Sequence, residues 1–458
     1  MTRATATRAA ALAAVLATLT SCTTEPPGRP GAASTPAQTG SAPTPSAPPS
    51  PSAPDPGPTC TEPLVLVRHH SRGPLRLTEQ RARALARSGR VVGRVADVVS
   101  DPTALGVLPA HRVDARVRAV RVDGVHPLKR PAAYPIRVAS EVCPPRPTTL
   151  TLVGDVMLGR GVAEAAAGDH GRQLRPTAPR LRAADLTVGN LESTLSRAGA
   201  PRQGGDSFAA HPAVAGALVD AGFDVMGLAN NHAGDFGPLA LRQTVTGLRR
   251  AGLTTFGAGP DLAAARRPAV VVVRGTRFGF VGFNAIGETP EAAPNSPGAV
   301  SVSMPPRTGP LDRRELQRFL ADVRRLDHRV DVVVAVPHWG TQYTNRPEPV
   351  QRRVARALVA AGADLVVGGH PHWVQGVSTV GDAVVAQSLG NFVFDMYFMP
   401  ETMAGVVLET TWWGDRLVAA EPVPYRMDAS FTPRLVPWRA GLPTLRLLGA
   451  ASGPAYRF

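Results

Sequence analysis

Cysteine and lysine are both scarce in this 458-residue sequence. Its three cysteines, Cys22, Cys60 and Cys143, do not form the clusters that hold a structural zinc ion. Lys129 is the only lysine, so arginine supplies nearly all of the excess of 50 basic over 35 acidic residues. The arginines are scattered, which excludes the basic stripe of a nucleic-acid-binding protein. A net charge of +15 suits anionic neighbours such as lipid headgroups or acidic envelope polymers.

The apolar run near the N-terminus is too short to cross a bilayer, which takes about 20 residues. Residues 9–19 follow Arg3 and Arg8 and have the length and charge pattern of an export signal. The segment Leu19-Thr20-Ser21-Cys22 resembles the lipobox of bacterial lipoproteins. We therefore predict a signal peptide at 1–21, a lipid anchor on Cys22 and a position on the extracytoplasmic face of the cell membrane. The alternative is an ordinary cleaved signal followed by a chance cysteine, and both interpretations export the protein.

Two segments precede the main domain. Residues 22–59 are rich in Pro, Ser, Thr and Ala, with almost no large apolar side chain, so we predict an extended linker. Residues 60–146 contain strand-like stretches and a helix-like stretch that begins after Thr78, which predicts a small α+β module. Export to an oxidising compartment favours a Cys60–Cys143 disulfide, and two buried free thiols are the alternative.

From Thr149 onward, apolar strands alternate with Ala- and Arg-rich helical stretches, which is typical of a layered α/β domain. We place this domain at 147–430 and a C-terminal tail at 431–458. Five of its predicted strands end in polar or titratable side chains. These residues are Asp155, Asn190, Glu192, Asn230, Asn231, His232, His338, His370 and His372.

Ligands of open α/β sheets bind beyond the carboxyl ends of the strands, so these side chains are expected to converge on one site. Helix N-capping would explain Asp155 or Asn190 alone, but it does not explain four histidines at strand ends. Carboxylates, amide oxygens and imidazoles together suit Mn, Fe or Zn. Two such ions, about 3.5–4 Å apart, activate a water molecule for attack on a phosphoester.

Six motifs, in this order, resemble those of the CapA-type capsule-synthesis family. They are Gly154-Asp155-Val156-Met157, Asn190-Leu191-Glu192, Asn230-Asn231-His232 with Asp235 and Gly237, His338-Trp339-Gly340, Gly369-His370-Pro371-His372 and Ser388-Leu389-Gly390-Asn391-Phe392. The resemblance runs from about residue 149 to residue 427. It implies a calcineurin-like metallophosphoesterase fold, a four-layer α-β-β-α sandwich, and an association with bacterial poly-γ-glutamate synthesis and export.

The resemblance also implies roles for individual residues. His232 takes the role of the catalytic acid, and Glu192 bridges the two divalent ions. Asn190 and Asn391, which lie in the motifs, are expected to contact substrate. Apart from the resemblance, Arg160 lies close to the first motif and is expected to clamp a phosphate or a carboxylate. The implied metal ligands are Asp155, Glu192, Asn231, His338, His370 and His372.

Two departures from the family pattern keep two functions open. Met157 stands where the wider superfamily has a histidine, and Gln342 stands where family members often have a glutamate. The first function is a membrane-anchored dimetal hydrolase in capsule or poly-γ-glutamate metabolism, or in other envelope phosphoester chemistry. The second is a non-catalytic accessory protein that binds a polyanion. The expected partners are an anionic envelope or capsule polymer and the membrane, through the lipid anchor, and for a capsule role also the polyglutamate synthesis machinery.

Overall fold

The computed structural model describes residues 60–458. The predicted signal peptide at 1–21, the lipidation site Cys22 and the 22–59 linker lie outside the described residues. Within 60–458, no helix combines the length and the apolar character that crossing a membrane requires.

The N-terminal module is built around one long strand, β1, which pairs antiparallel with β3, β4 and β6. The Thr78 hydroxyl accepts a hydrogen bond from the Arg81 N–H and so caps the first helix, as its sequence predicts. A disulfide joins Cys60 to Cys143. The elements are β1 (Cys60–Arg68), β2 (Arg76–Leu77), α1 (Glu79–Ala86), α2 (Val95–Ser100), β3 (Leu105–Pro109), β4 (Arg118–Ala119), β5 (Arg121–Val122) and β6 (Arg137–Ser140).

The rest of the chain alternates strands and helices. The elements are β7 (Pro147–Val156), α3 (Arg160–Ala166), α4 (Ala178–Leu181), β8 (Leu186–Leu191), β9 (Thr194–Leu195), β10 (Ala209–Ala210), α5 (Val214–Ala221), β11 (Val225–Gly227), α6 (Gly237–Arg250), β12 (Thr254–Phe256), β13 (Ala258–Gly259), α7 (Leu262–Ala265), β14 (Ala269–Val273), β15 (Thr276–Val281), β16 (Gly298–Ala299), α8 (Arg313–Asp327), β17 (Val332–Ala335), α9 (Pro349–Ala360), β18 (Leu365–Val367), β19 (Val374–Val380), β20 (Ala383–Leu389), β21 (Asn391–Val393), β22 (Ala404–Trp413), β23 (Arg416–Met427), β24 (Pro433–Leu435) and α10 (Leu442–Ala450).

Two large sheets contain most of these strands. The first has the order β12-β11-β8-β7-β22-β23-β24, with β21 also paired to β7, and the second has the order β14-β15-β17-β18-β20-β19. The neighbours β7, β8, β11 and β12 run parallel, and so do β15, β17, β18 and β20. The carboxyl ends of the parallel strands therefore lie at one edge of each sheet.

Alternating side chains divide the apolar residues among three cores. On β17, Val332 and Val334 enter the core between the two sheets, whereas Val333 enters the core beneath α8 and α9. On the first sheet, Val225 faces the inter-sheet core and Met226 faces the core beneath α3 to α6. This period of two is what a strand buried on both faces requires. The result is the predicted four-layer α-β-β-α sandwich, which the structure confirms.

The segment 431–458 is not a separate tail, which corrects the domain boundary at residue 430. Strand β24 extends the first sheet beside β23, and Leu445, Leu448 and Tyr456 lie in the inter-sheet core. The N-terminal module likewise shares a core with the sandwich, because Val65 and Val113 cluster with Trp413 of β22. The sequence does not indicate that either the C-terminal segment or the N-terminal module packs on the sandwich, because both contacts join residues that are distant in the chain.

Candidate metal centre

Neighbouring strand ends of both sheets deliver the predicted ligands to one place. Asp155 lies at the end of β7 and Glu192 follows β8, both in the first sheet, whereas His338 follows β17 in the second. Residues His370 and His372 follow β18 and have positive φ angles of 93° and 58°. Non-glycine residues seldom adopt this conformation, and they concentrate where a site imposes it.

Close packing of the backbone brings the remaining motifs against these ligands. A Cβ atom on Gly369 would lie 2.6 Å from the Asp155 Oδ1, so this position leaves no room for a side chain. The His370 N–H donates a hydrogen bond to the Asp155 Oδ2 over 3.0 Å. The Asp155 N–H donates to the Gly390 carbonyl over 3.1 Å, which places Asn391 of β21 opposite Asp155. The absence of a side chain at Gly369 therefore permits the close approach of strand ends that contribute ligands.

Two groups of buried side chains each have the composition of a metal site. One consists of Asp155, Glu192 and His338, and the other of Glu192, His370 and His372. Within each group the ligand atoms lie no more than 4.8 Å from one another. Glu192 belongs to both groups, and its Oε1 is 3.4 Å from the His338 Nε2.

Asn231 joins the first of these groups through its amide oxygen. Its Oδ1 lies 2.9 Å from the His338 Nε2, and its Nδ2 donates a hydrogen bond to the Glu288 Oε2 over 2.7 Å. This second contact turns the amide oxygen toward His338. Glu288 also pairs with Arg307. The sequence gives no signal for Glu288, because it lies in an irregular loop outside every motif.

Several buried polar atoms of this site lack, among the described residues, the hydrogen-bond partners that they would need in the absence of a cation. Both oxygens of Glu192 and both ring nitrogens of His370 are buried without a hydrogen-bond partner among residues 60–458. A buried polar group without a partner costs free energy, and an isolated charge costs far more. A divalent cation between these atoms would satisfy them, so the residues present fit a metal.

Burial also sets the protonation of the ligands. It raises the pKa of Glu192 to about 8, and burial together with the neighbouring Glu192 charge raises the pKa of Asp155 to about 7. It lowers the pKa of His338 to about 4 and of His372 to about 3, and it lowers the pKa of His370 well below 6.5. The imidazoles are therefore neutral at pH 7, as metal ligands must be, and the two carboxyl groups ionise readily only beside a cation.

His232 is held at the edge of the cluster by two contacts. Its Nδ1 lies 2.8 Å from the Asp235 Oδ2, and the Phe208 ring stacks on its imidazole with a centroid distance of 3.8 Å. Its Nε2 faces the cluster, 3.9 Å from the Glu192 Oε1. A carboxylate on Nδ1 fixes the tautomer and the orientation of the ring, so Nε2 is the nitrogen that is presented to the cluster. Phe208 lies outside the motifs and carries no sequence signal.

Two of the residues predicted to contact substrate, Asn190 and Asn391, hydrogen-bond to neighbouring ligands in the structure. The Asn190 amide donates to the Asp155 Oδ1 over 2.8 Å and accepts from the Asn230 Nδ2 over 2.9 Å. The Asn391 Oδ1 lies 2.8 Å from the His372 Nδ1, and its Nδ2 donates to a backbone carbonyl. These buried amides orient Asp155 and His372. With Nδ1–H bonded to Asn391, the Nε2 of His372 keeps its lone pair for a cation.

Arg160 lies near the site but is engaged. Its guanidinium makes two hydrogen bonds to the Asp395 carboxylate and lies 4.2 Å from the centre of the Phe208 ring. Because Phe208 also stacks on His232, Arg160 is connected to the His232 ring through one aromatic side chain.

The sequence comparisons identify the family. Residues 149–396 match the family described as bacterial capsule synthesis protein PGA_cap. The chain belongs to the PGA_cap family. This match covers the six motifs and the strands that deliver the ligands.

Three curated relatives of this PGA_cap chain have related names. The capsule biosynthesis protein CapA of Bacillus anthracis is 33% identical over 254 residues, which are 54% of this chain and 60% of that protein. The PGA biosynthesis protein CapA of Bacillus subtilis (strain 168) is 31% identical over 54% of this chain and 63% of its own length. The chain therefore spans less than two thirds of these two relatives. A Mycobacterium tuberculosis (strain ATCC 25618 / H37Rv) protein named "Probable polyglutamine synthesis accessory protein" is 30% identical over 55% of this chain and 75% of its own length.

Proposed function

We propose that this PGA_cap protein is a metal-dependent hydrolase that acts on a phosphoester-type bond during the synthesis or export of an anionic capsule polymer such as poly-γ-glutamate. The observation that carries the proposal is Glu192, whose carboxylate is 0% exposed, has no hydrogen-bond partner among the described residues and belongs to both ligand groups. A carboxylate in that position is stable as an anion only between cations.

The residues on the two sides of Glu192 would hold one divalent ion each, Mn, Fe or Zn. Asp155, Asn231 and His338 would hold one ion with Glu192, and His370 and His372 would hold the other. When bound, such ions polarise the scissile bond and a water molecule and take up the charge that develops on the phosphoryl oxygens.

The other residues of the site would move one proton and orient the ligands. His232 would deliver the proton on its Nε2 to the leaving group, while Asp235 holds Nδ1 and stabilises the charged ring. Phe208 covers one face of that ring and keeps water from it. Arg160, next to Phe208, would bind an anionic group of the substrate after exchanging its contact with Asp395.

We further propose that the protein works outside the cytoplasm, held to the membrane by a lipid on Cys22, with the polymer and its synthesis machinery as partners. The Cys60–Cys143 disulfide supports this location, because disulfides persist in oxidising compartments. The names of the Bacillus relatives support the capsule role.

A second candidate function is that of a non-catalytic accessory protein that uses the metal centre to bind a polyanion. It is favoured by Met157, which is fully buried and whose Sδ accepts a hydrogen bond from the Gly159 N–H over 3.1 Å. This thioether occupies the position of an imidazole in the wider superfamily and offers no nitrogen to a cation. The neutral Gln342 amide points the same way, since it cannot act as a base.

Metal analysis and turnover of the purified full chain distinguish the two functions. The protein would be loaded with Mn, Fe or Zn and assayed on a phosphodiester and a phosphomonoester. The hydrolase proposal predicts that His370→Ala loses metal and activity, and that His232→Ala keeps its metal but loses about 10²–10⁴-fold in rate. His328→Ala, at the exposed end of α8, is the matched control and should change neither. Metal binding without turnover would contradict the hydrolase and support the accessory role.

A further inference from the structure

A cavity of about 330 Å³ lies where the N-terminal module, the first sheet and the C-terminal segment meet. None of its lining residues belongs to the metal centre. Four arginines line it, against two glutamates and one histidine. The charged and polar lining residues are Arg76, Arg118, Arg121, Arg180, His126, Glu409, Glu421 and Trp438.

The two glutamates are already matched by cations. Glu409 and Glu421 are direct cross-strand partners on β22 and β23, an arrangement of like charges that is destabilising by itself. Lys129 and Arg180 pair with Glu409, and Arg118 contacts Glu421 through its Nη1 over 3.0 Å. The glutamates therefore do not neutralise the other arginines of the cavity.

Arg76 and Arg121 form a second cross-strand pair of like charge. They lie directly opposite each other on the parallel strands β2 and β5, and both line the cavity. Neither side chain has a hydrogen-bond or ion-pair partner among residues 60–458. Like charges placed opposite each other destabilise a sheet unless something lies between them to offset the repulsion.

Arg118 adds an unsatisfied group to this cavity. Its side chain is only 7% exposed, and its Nε and Nη2 have no hydrogen-bond partner in the described part of the chain. Nε and Nη2 form the edge of a guanidinium that binds a carboxylate or a phosphate through two parallel hydrogen bonds. The indole N–H of Trp438, which also lines the cavity, is likewise buried without a partner.

We propose that this cavity binds an oxyanion, a carboxylate or a phosphate group, through Arg76, Arg118 and Arg121. Two independent observations carry the proposal: the opposed pair of arginines without partners and the buried guanidinium edge without an acceptor. The carboxylate would come from a γ-linked glutamate chain, and this part of the inference rests on the proposed function. In that case the cavity is a second contact for the polymer, separate from the metal centre.

Isothermal titration calorimetry of the full chain tests the proposal. Metal would be removed with a chelating resin, and the probes would be a γ-linked glutamate decamer and, in a separate arm, inorganic phosphate. Arg76→Gln/Arg121→Gln removes the opposed pair at positions with no side-chain partner, and circular dichroism would check its folding. Arg352→Gln/Arg356→Gln, on the exposed face of α9, makes the same change in charge and is the matched control.

The expected result is that the cavity variant weakens binding of a probe about tenfold or more and the control variant changes it less than about twofold. If binding of the decamer requires Arg76 and Arg121, the ligand is the carboxylates of the polymer. If only the binding of phosphate requires them, the ligand is free phosphate. Equal binding to both variants, or no binding to the wild type, would overturn the proposal. A failure of the cavity to bind an oxyanion would not affect metal-dependent turnover. Conversely, a protein that binds the probe at the cavity but shows no turnover would contradict only the hydrolase proposal.

Discussion

Replacing Glu192 with glutamine should change the stability of the metal-free protein in a pH-dependent way. Burial raises the pKa of Glu192 from 4.5 to about 8, so the folded protein holds this proton more tightly than the unfolded chain. Stability therefore falls as the pH rises from 4.5 and levels off above about 8. The rise in pKa corresponds to roughly 5 kcal/mol, an upper bound because neighbouring carboxyl groups titrate in the same range.

Glutamine is neutral and nearly isosteric, so Glu192→Gln removes this penalty. We expect the variant to be more stable than the wild type by a few kcal/mol at pH 8.5 and nearly equal to it at pH 5. Saturating Mn²⁺ should reverse the order, because only the wild type presents the bridging carboxylate. Urea denaturation at both pH values, with and without Mn²⁺, measures all four differences.

Glu164→Gln is the control, since that glutamate is exposed on α3. It should follow the wild type in every condition. Parallel pH curves for Glu192→Gln and wild type would refute the reasoning, and so would an equal gain in stability of both proteins with Mn²⁺.

Three further predictions concern residues that support the centre. Asn391→Leu removes the acceptor of the His372 Nδ1–H and should weaken metal affinity by about 10–100-fold in calorimetric titration; unchanged affinity would contradict the role in orientation. Gly369→Ala places a methyl group against a ligand oxygen and should abolish metal binding, whereas Gly216→Ala on α5 meets no atom within 4 Å and should bind metal normally. Asp235→Asn should keep its metal, measured by mass spectrometry, yet lose about 10²–10⁴-fold in turnover; a full rate would exclude the proton-transfer role.

The α/β layering and the polar residues at the strand ends could be predicted because both depend on local patterns, whereas the four-layer sandwich and the individual ligand roles were implied by the family resemblance. Parallel strands end at a common edge, so a polar residue after each apolar run marks the site without any knowledge of the strand order. Asp155, Glu192 and the histidines could be identified in this way. The pairing of β21 with β7, which places Asn391 behind His372, depends on a long-range contact that no local pattern shows.

Other features could not be predicted for the same physical reason. Glu288 and Phe208 lie in irregular segments, and their contacts with Asn231 and His232 arise only when distant loops meet. The C-terminal segment shows no pattern that reveals its place in the inter-sheet core, because α10 is short and its apolar residues fit many positions. The sequence also does not show that the Asn190 and Asn391 amides hydrogen-bond to neighbouring ligands, and their contact with substrate stays a prediction.

We propose that distant strand ends hold two divalent ions, one on each side of Glu192. Anomalous diffraction from crystals of the Mn-loaded protein measures this most directly. Two manganese peaks are expected about 3.5–4 Å apart, with Glu192 in contact with both. A single peak, or two peaks that Glu192 does not join, would contradict it.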